Sequence, residues 1–238
     1  MTPLLKTLHL SLERPHPLDK RADRERLIHS IQKELGTSIP IDLDLRHLRD
    51  LPRLLREGAF SITLTVCLLP DRAQVVSLGK GTPYGLAIDI GTTNMAASLI
   101  DCKTGEKVCQ AERENPQIEA GTDVLTRVHR AMAGEGERLH DLLIQGLNSL
   151  IEDICKASAT APHEIYALSI AGNTIMTHFL LGLPVENIPI DPYIPVSHGF
   201  DFLRPDELGL GINPSGVVYV FPNAGSYVGG DIIAGILS

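Results

Sequence analysis

The chain has 238 residues, 43% of them hydrophobic and 21% charged, with a formal net charge of −8 at pH 7, an ordinary globular composition with enough length for one large core or two small ones. No apolar run approaches the ~20 residues that a membrane span needs, and residues 1–20 lack the apolar core of a signal peptide. With no Trp and only 4% aromatics, a base-stacking nucleic-acid platform is not expected.

Cys67, Cys102, Cys109 and Cys155 are scattered without C-x-x-C spacing, which fits reduced thiols of a cytoplasmic protein better than disulfides or a zinc site. Charge is unevenly divided. Residues 1–80 carry 13 Lys+Arg against 10 Asp+Glu, whereas residues 81–238 carry 8 against 19. The acidic larger part would repel phosphate backbones. The step in charge predicts two units, 1–80 and 83–238, joined near Gly79-Lys-Gly-Thr-Pro83.

In the first unit, alternating Leu8, Leu10 and Leu12 predict an edge strand ahead of Pro15 and Pro17. Leu27, Ile28, Ile31 and Leu35 fall at helical spacing and predict a helix over 20–35, capped by Asp19 and stopped by Gly36. After Ile41-Asp-Leu-Asp-Leu, a short helix over 48–56 and a strand over 60–69 complete an α+β unit. Lys20, Arg21, Arg24 and Arg26 read as the solvated face of the first helix, with a partner patch as the alternative, and no spacing here is catalytic.

The second unit opens with three consecutive strands, 84–90, 95–101 and 107–113. A helix then starts at Thr122 or Asp123 and breaks at Gly134-Glu-Gly136. A longer one follows, with Leu139, Leu142, Leu143, Leu147, Leu150, Ile151 and Ile154 on one stripe that should pack on a sheet. The continuous apolar run 165–171 is that of a strand buried on both faces. After it come a short helix over 175–181, a proline-rich surface segment over 184–205, a second buried strand over 217–221 and the first turns of a helix at 232–237.

Three strand-end loops carry the chemistry. In Leu86-Ala-Ile-Asp89-Ile-Gly91-Thr92-Thr93-Asn94, Gly91 permits a sharp turn with no Cβ facing an approaching phosphate. The turn's N–H groups and the Thr92 and Thr93 hydroxyls can donate to phosphate oxygens, and Asp89 can hold a hydrated Mg²⁺. A hairpin whose Asp and Thr only satisfy their own turn has the same pattern. The loops Gly172-Asn173-Thr174 and 225–231 end two later strands, and strand-end loops meeting in one cleft are the default ligand site of an α/β sheet. The last loop feeds a helix whose N-terminal N–H groups favour phosphate. Asp231 there is either a second Mg²⁺ holder opposite Asp89 or the helix N-cap. No Walker A sequence occurs, and Gly209-Leu-Gly211 lacks the third glycine and strand context of a dinucleotide fingerprint. His178 reads as a packing residue rather than a base. No nucleophile–base set can be assembled, which leaves phosphoryl handling.

The run acid-Ile-Gly-Thr-Thr at the head of a three-strand meander resembles the first phosphate loop of the superfamily that contains acetate and sugar kinases, heat-shock chaperones and actin. The fuller set occurs in order: Gly85-Leu-Ala-Ile-Asp89-Ile-Gly-Thr-Thr93, Asn115-Pro-Gln117, Gly121-Thr-Asp123-Val with Arg127, Ala171-Gly-Asn-Thr174 with Met176 and His178, and Gly225-Ser-Tyr-Val-Gly-Gly-Asp231. Over most of 83–238 it is similar to the ATP-dependent reductive activators of corrinoid proteins. The resemblance implies an α/β chain, with a small α+β middle domain followed by the first lobe of an actin-like (ribonuclease H-like) ATPase domain. It implies that ATP binding or hydrolysis drives reduction of a Co(II) corrinoid to Co(I) on a corrinoid protein or corrinoid methyltransferase partner.

By position, the resemblance assigns Asp89, Gly91, Thr92, Thr93 and Asn94 to a first phosphate loop and Gly172, Asn173 and Thr174 to a connecting loop. Gly225, Gly229, Gly230 and Asp231 fall in a second phosphate loop. ATP and Mg²⁺ are the implied cofactors, with Asp89 and Asp231 as the catalytic, metal-holding acids. Family members carry an N-terminal iron–sulfur domain with clustered cysteines, and an adenosine motif in a second lobe. Neither pattern is present, so the chain is expected to be an internal fragment that passes no electrons by itself and holds half a nucleotide site. Two other readings stay open, a small-molecule kinase of the same superfamily and a non-catalytic, nucleotide-gated interaction module. The apolar stripe and the half-domain ending leave a homodimer open as well.

Overall fold

In the computed structural model, which describes residues 4–225 and 229–237, the chain divides into two compact units, Met1–Pro83 with Cys102–Gly105 and Tyr84–Asp101 with Glu106–Ser238. The first unit is a four-stranded sheet of order β1-β3-β4-β2, formed by β1 (Leu5–Ser11), β2 (Ile41–Asp42), β3 (Ser61–Leu68) and β4 (Ala73–Leu78). The leucine alternation of β1 turns Leu8 and Leu10 inward, and β1 pairs with β3 alone, as an edge strand. Helices α1 (Asp23–Leu35) and α2 (Leu45–Glu57) close the core with Leu27, Ile31, Leu51 and Leu55. Gly36 ends α1 in the left-handed conformation, φ 65°, where the missing Cβ removes the steric penalty.

Two expectations for this unit are corrected. Helix α1 starts at Asp23 with Ala22 at its N-cap, because Asp19 is occupied elsewhere. Its carboxylate accepts from Arg21 Nη2 at 2.7 Å and from Arg26 Nη1 at 2.6 Å. These bonds hold the Asp19 carboxyl well below the usual carboxylate range, Arg21 contributing most and Arg26 next. Arg26 is also not a solvated residue, being 1% exposed. A buried guanidinium needs acceptors for its donors. The loop before α1 wraps round it to present Asp19 and the carbonyls of Glu13, Asp19 and Arg21, which draws residues 20–22 out of the helix. Burial pushes the Cys67 thiol up to about 12, and none of the four cysteines is joined in a disulfide.

The second unit is a five-stranded sheet of order β7-β6-β5-β8-β9. Strands β5 (Tyr84–Ile90), β6 (Asn94–Asp101) and β7 (Lys107–Glu114) form an antiparallel meander, with β8 (Ile165–Gly172) parallel to β5 and β9 (Val217–Val220) parallel to β8. This is the strand order of a ribonuclease H-like lobe. The crossover from β7 to β8 runs through α3 (Val124–Arg130), a wide turn in which Gly134 takes φ 99°, and α4 (Gly136–Ser158). The α4 stripe, Leu139, Leu143, Leu147, Leu150, Ile151 and Ile154, is buried in one core with Leu86, Ile88, Ile90, Met95 and Leu99 of the sheet. Helices α5 (Thr174–Leu180) and α6 (Gly230–Leu237) follow β8 and the loop after β9. Because β5, β8 and β9 are parallel and in register (Ile90 opposite Gly172, Ile170 opposite Val220), their carboxyl ends share one edge of the sheet. Among the described residues no helix is long and apolar enough to cross a membrane.

Candidate phosphate-binding site

The pleat places the first acid. Along β5, Leu86, Ile88 and Ile90 face the core, and Ala87 and Asp89 face the opposite side. The cross-strand neighbours of Asp89 are Ala96 on β6 and Ala171 on β8, so small side chains flank its carboxylate. Asp89 and Asp231 line one cleft of about 400 Å³ together with Ala87, Ser98, Ser169, Phe221 and Ala234. Asp89 is raised from the ordinary carboxylate value first by burial and then by the charge of Asp231. Asp231 lies within the first turn of α6, where its Oδ1 accepts from the Ile232 amide at 2.9 Å.

The three loops of the sequence pattern meet. The Asn173 Nδ2 donates to Thr92 Oγ1 at 3.4 Å, and the Thr174 hydroxyl donates to the Gly225 carbonyl at 2.7 Å. The connecting loop thus touches both of its neighbours. A Cβ on Gly229 would collide with Asn173 Cα, so the close approach of the third loop to the second requires glycine there. The buried Asn223 accepts from the Gly230 amide at 3.0 Å and ties the start of α6 to the end of β9. Asn173 Oδ1 caps α5 through the Met176 amide, so the side chains of Asn173 and Thr174 are taken up in joining and capping. Thr93 and Asn94 stand exposed at the tip of the first loop. Residues 226–228 of the third loop lie outside the described residues.

Motifs that carried no role in the sequence analysis form the support of the first loop. Asn115 Nδ2 donates to the Gly91 carbonyl at 2.9 Å, the Asn115 amide to the Thr93 carbonyl at 2.7 Å, and Arg127 Nη2 to the Thr92 carbonyl at 2.6 Å. Three successive carbonyls therefore point into the protein. In a trans peptide the following N–H points the opposite way, so the amides of residues 92–94 are turned from this support. Among the described residues the Thr92 and Thr93 amides have no acceptor, and an array of successive free N–H groups is an anion-binding feature. Gln117 completes the support, accepting from Arg127 Nη1 at 3.1 Å and donating to the Leu139 carbonyl at 2.8 Å. The signal that could have marked these residues was their polarity inside an otherwise apolar stretch. His178 is fully buried, with Nδ1 donating to the Thr174 carbonyl at 2.7 Å and Nε2 accepting from the Val196 amide at 3.1 Å, as a packing histidine does.

Sheet order and strand-end loops define the second unit as an α/β lobe of ribonuclease H-like class, preceded by a small α+β unit. Residues 84–238 match the family model described as the RACo middle region, and residues 1–83 match that of the RACo linker region. The chain belongs to the RACo family. It is 32% identical over 158 residues to the corrinoid activation enzyme RamQ of Eubacterium limosum, a match covering 65% of this chain and 26% of that protein. The solved structure of a reductive activator for corrinoid,iron-sulfur protein covers 99% of this chain at 33% identity with a TM-score of 0.90. That match takes in 38% of the other chain, so the present chain spans only part of the length of each relative.

Proposed function

We propose that this chain is the middle and first-lobe part of an ATP-dependent reductive activator, which returns a Co(II) corrinoid to Co(I) on a corrinoid protein or corrinoid methyltransferase partner. The observation that carries this reading is the convergence of three strand-end loops at one sheet edge, with Asp89 and Asp231 facing a single cleft. The two relatives, a corrinoid activation enzyme and a reductive activator for a corrinoid,iron-sulfur protein, supply the corrinoid chemistry. The residues fit a magnesium nucleotide. Among the described residues no three His, Cys, Asp or Glu groups cluster as a dedicated metal cage. Two carboxylates on one cleft suit Mg²⁺, which keeps several waters and otherwise uses phosphate oxygens.

Asp89 and Asp231 would hold the ion, whose chemistry is to neutralise phosphate charge. The Thr92 and Thr93 amides and hydroxyls would orient the phosphate chain, while the Asn173 and Thr174 bridges keep the loops in contact. Reduction of Co(II) to Co(I) takes one electron, which an iron–sulfur cluster of a further domain would supply, and four scattered cysteines without disulfides fit a reducing cytoplasm. The part of the present residues is nucleotide-dependent positioning, since a ligand shifts a conformational equilibrium by its differential affinity for the two states.

The test is a calorimetric titration with MgATP of this chain and of a longer protein carrying the second lobe, with Asp89→Ala as control. Saturable binding that disappears in Asp89→Ala, with circular dichroism unchanged, supports the reading. Binding retained in the variant removes the metal role of Asp89. Absence of binding to the longer protein overturns the proposal.

A further inference from the structure

Arg127 is 0% exposed, and among the described residues every partner it has is neutral. Nε donates to the Gly121 carbonyl at 2.8 Å, Nη1 to Gln117 Oε1 at 3.1 Å and to Met176 Sδ at 3.6 Å, and Nη2 to the Thr92 carbonyl at 2.6 Å. The carboxylate nearest in sequence, Asp123, is engaged by the Thr126 amide at 2.9 Å and the Thr126 hydroxyl at 2.6 Å. It contributes attraction without a bond to Arg127, and burial lowers the Arg127 pKa. A desolvated cation without an ion partner is expensive to keep in a fold. Packing alone does not call for it, because an apolar side chain of similar size would fill the volume.

Its shortest bond ends on the loop already described. The carbonyl it grips belongs to the peptide whose other end is the Thr93 amide, which has no acceptor among the described residues. Guanidinium, carbonyl and N–H form one polarised line, and hydrogen bonds in such a chain strengthen one another in low dielectric. A negative ligand on the amide side is the missing counter-charge of this line.

We propose that Arg127 is a positioning residue for phosphate. Through the Thr92 carbonyl it fixes the Thr92–Thr93 peptide with its N–H toward the ligand side, and its unpaired charge favours the polyphosphate of a nucleoside triphosphate over an uncharged ligand. The ligand half of this inference rests on the reading of the first loop given under Proposed function. The positioning half does not, because it concerns the protein without ligand.

The experiment compares wild type, Arg127→Met and Arg127→Lys by ¹H–¹⁵N spectra of the free chain and by titration with MgATP. In Arg127→Met the Thr93 amide resonance should move well beyond the shifts of amides in α4. MgATP affinity should fall roughly tenfold or more, the scale of losing a hydrogen bond to a charged group. Arg127→Lys keeps the charge but cannot reach all four acceptors, and it should recover part of the affinity while leaving the Thr93 resonance displaced. Should Arg127→Met fail to fold, Arg127→Lys decides alone, with a displaced Thr93 amide and a measurable loss expected. A folded variant whose Thr93 amide stays in place overturns the positioning role, and MgATP affinity within about twofold of wild type overturns the ligand half. Lack of any MgATP response in the longer wild-type protein carrying the second lobe overturns the ligand half, and the Thr93 resonance still decides the positioning half.

Discussion

Asp89 carries two opposed demands, since the same carboxylate that could hold a cation is partly desolvated and shares a cleft with the charge of Asp231. Its folded-state pKa lies above the ordinary 3.8. The native state therefore holds the proton more tightly than the unfolded chain does, and ionisation above that pKa costs stability. Asp89→Asn should be more resistant to urea than wild type at pH 7, with the difference closing as pH falls below the ordinary carboxylate value. An identical urea midpoint at neutral pH would count against the repulsion. His178 runs the other way. Burial lowers its pKa from 6.5, so the neutral ring contributes stability that is present above 6.5 and lost as pH falls through the folded-state value. Thermal unfolding of wild type between pH 7 and pH 5 should show this fall. Replacing His178 with Ala should flatten it and destabilise the fold by about 2–4 kcal/mol, through two unpaired backbone groups and a cavity.

At the scale of elements, strand alternation was readable where one face is buried, as in β5 and β6, helix periodicity in the α4 stripe, and β8 by the continuous apolar run of a strand buried on both faces. The start of α1 was not readable, because the side chain that moves it, Arg26, looks like any surface arginine until the loop closes over it. Strand β2 has only two residues, too few for any period, and β4 was missed with it. Asp123 is a local device that the pattern did show. It caps α3 by accepting from the Thr126 amide at 2.9 Å, and α3 carries Arg127 into the support of the first loop. Asp123→Ala should cost about 1 kcal/mol in global stability, measured by denaturant unfolding, with a larger relative loss of protection in α3 by hydrogen exchange.

For the molecule as a whole, the two units own separate cores, one around Leu64 and Leu55 and one around Leu147 and Leu168. Leu64→Ala and Leu147→Ala each remove a fully buried side chain and should cost about 2–5 kcal/mol. The loss should fall on different amides. Hydrogen exchange should quicken in β1, β3 and β4 for Leu64→Ala, and in β5, β8 and α4 for Leu147→Ala. A uniform quickening across both units in either variant would show instead that they unfold as one. The third loop offers a whole-site test, because Gly229→Ala places a Cβ against Asn173 Cα. It should push the third loop off the second and weaken MgATP binding while leaving the exchange of β5 unchanged.

What the sequence by itself determined was the succession of elements in the second unit, the three glycine-bearing loops and the family they resemble. Those signals are local, consisting of a period of two or 3.6 and residue types suited to turns. Only the tertiary structure decided that Asp89 and Asp231 share a cleft, that Asn173 and Thr174 join loops, and that Asn115, Gln117 and Arg127 stand behind Gly91-Thr92-Thr93. The physical reason is separation along the chain. Arg127 meets Thr92 across 35 residues, Asn115 meets Gly91 across 24 and Asn173 meets Thr92 across 81. A hydrogen-bond partner at that distance is fixed by strand order and register, which no local pattern encodes.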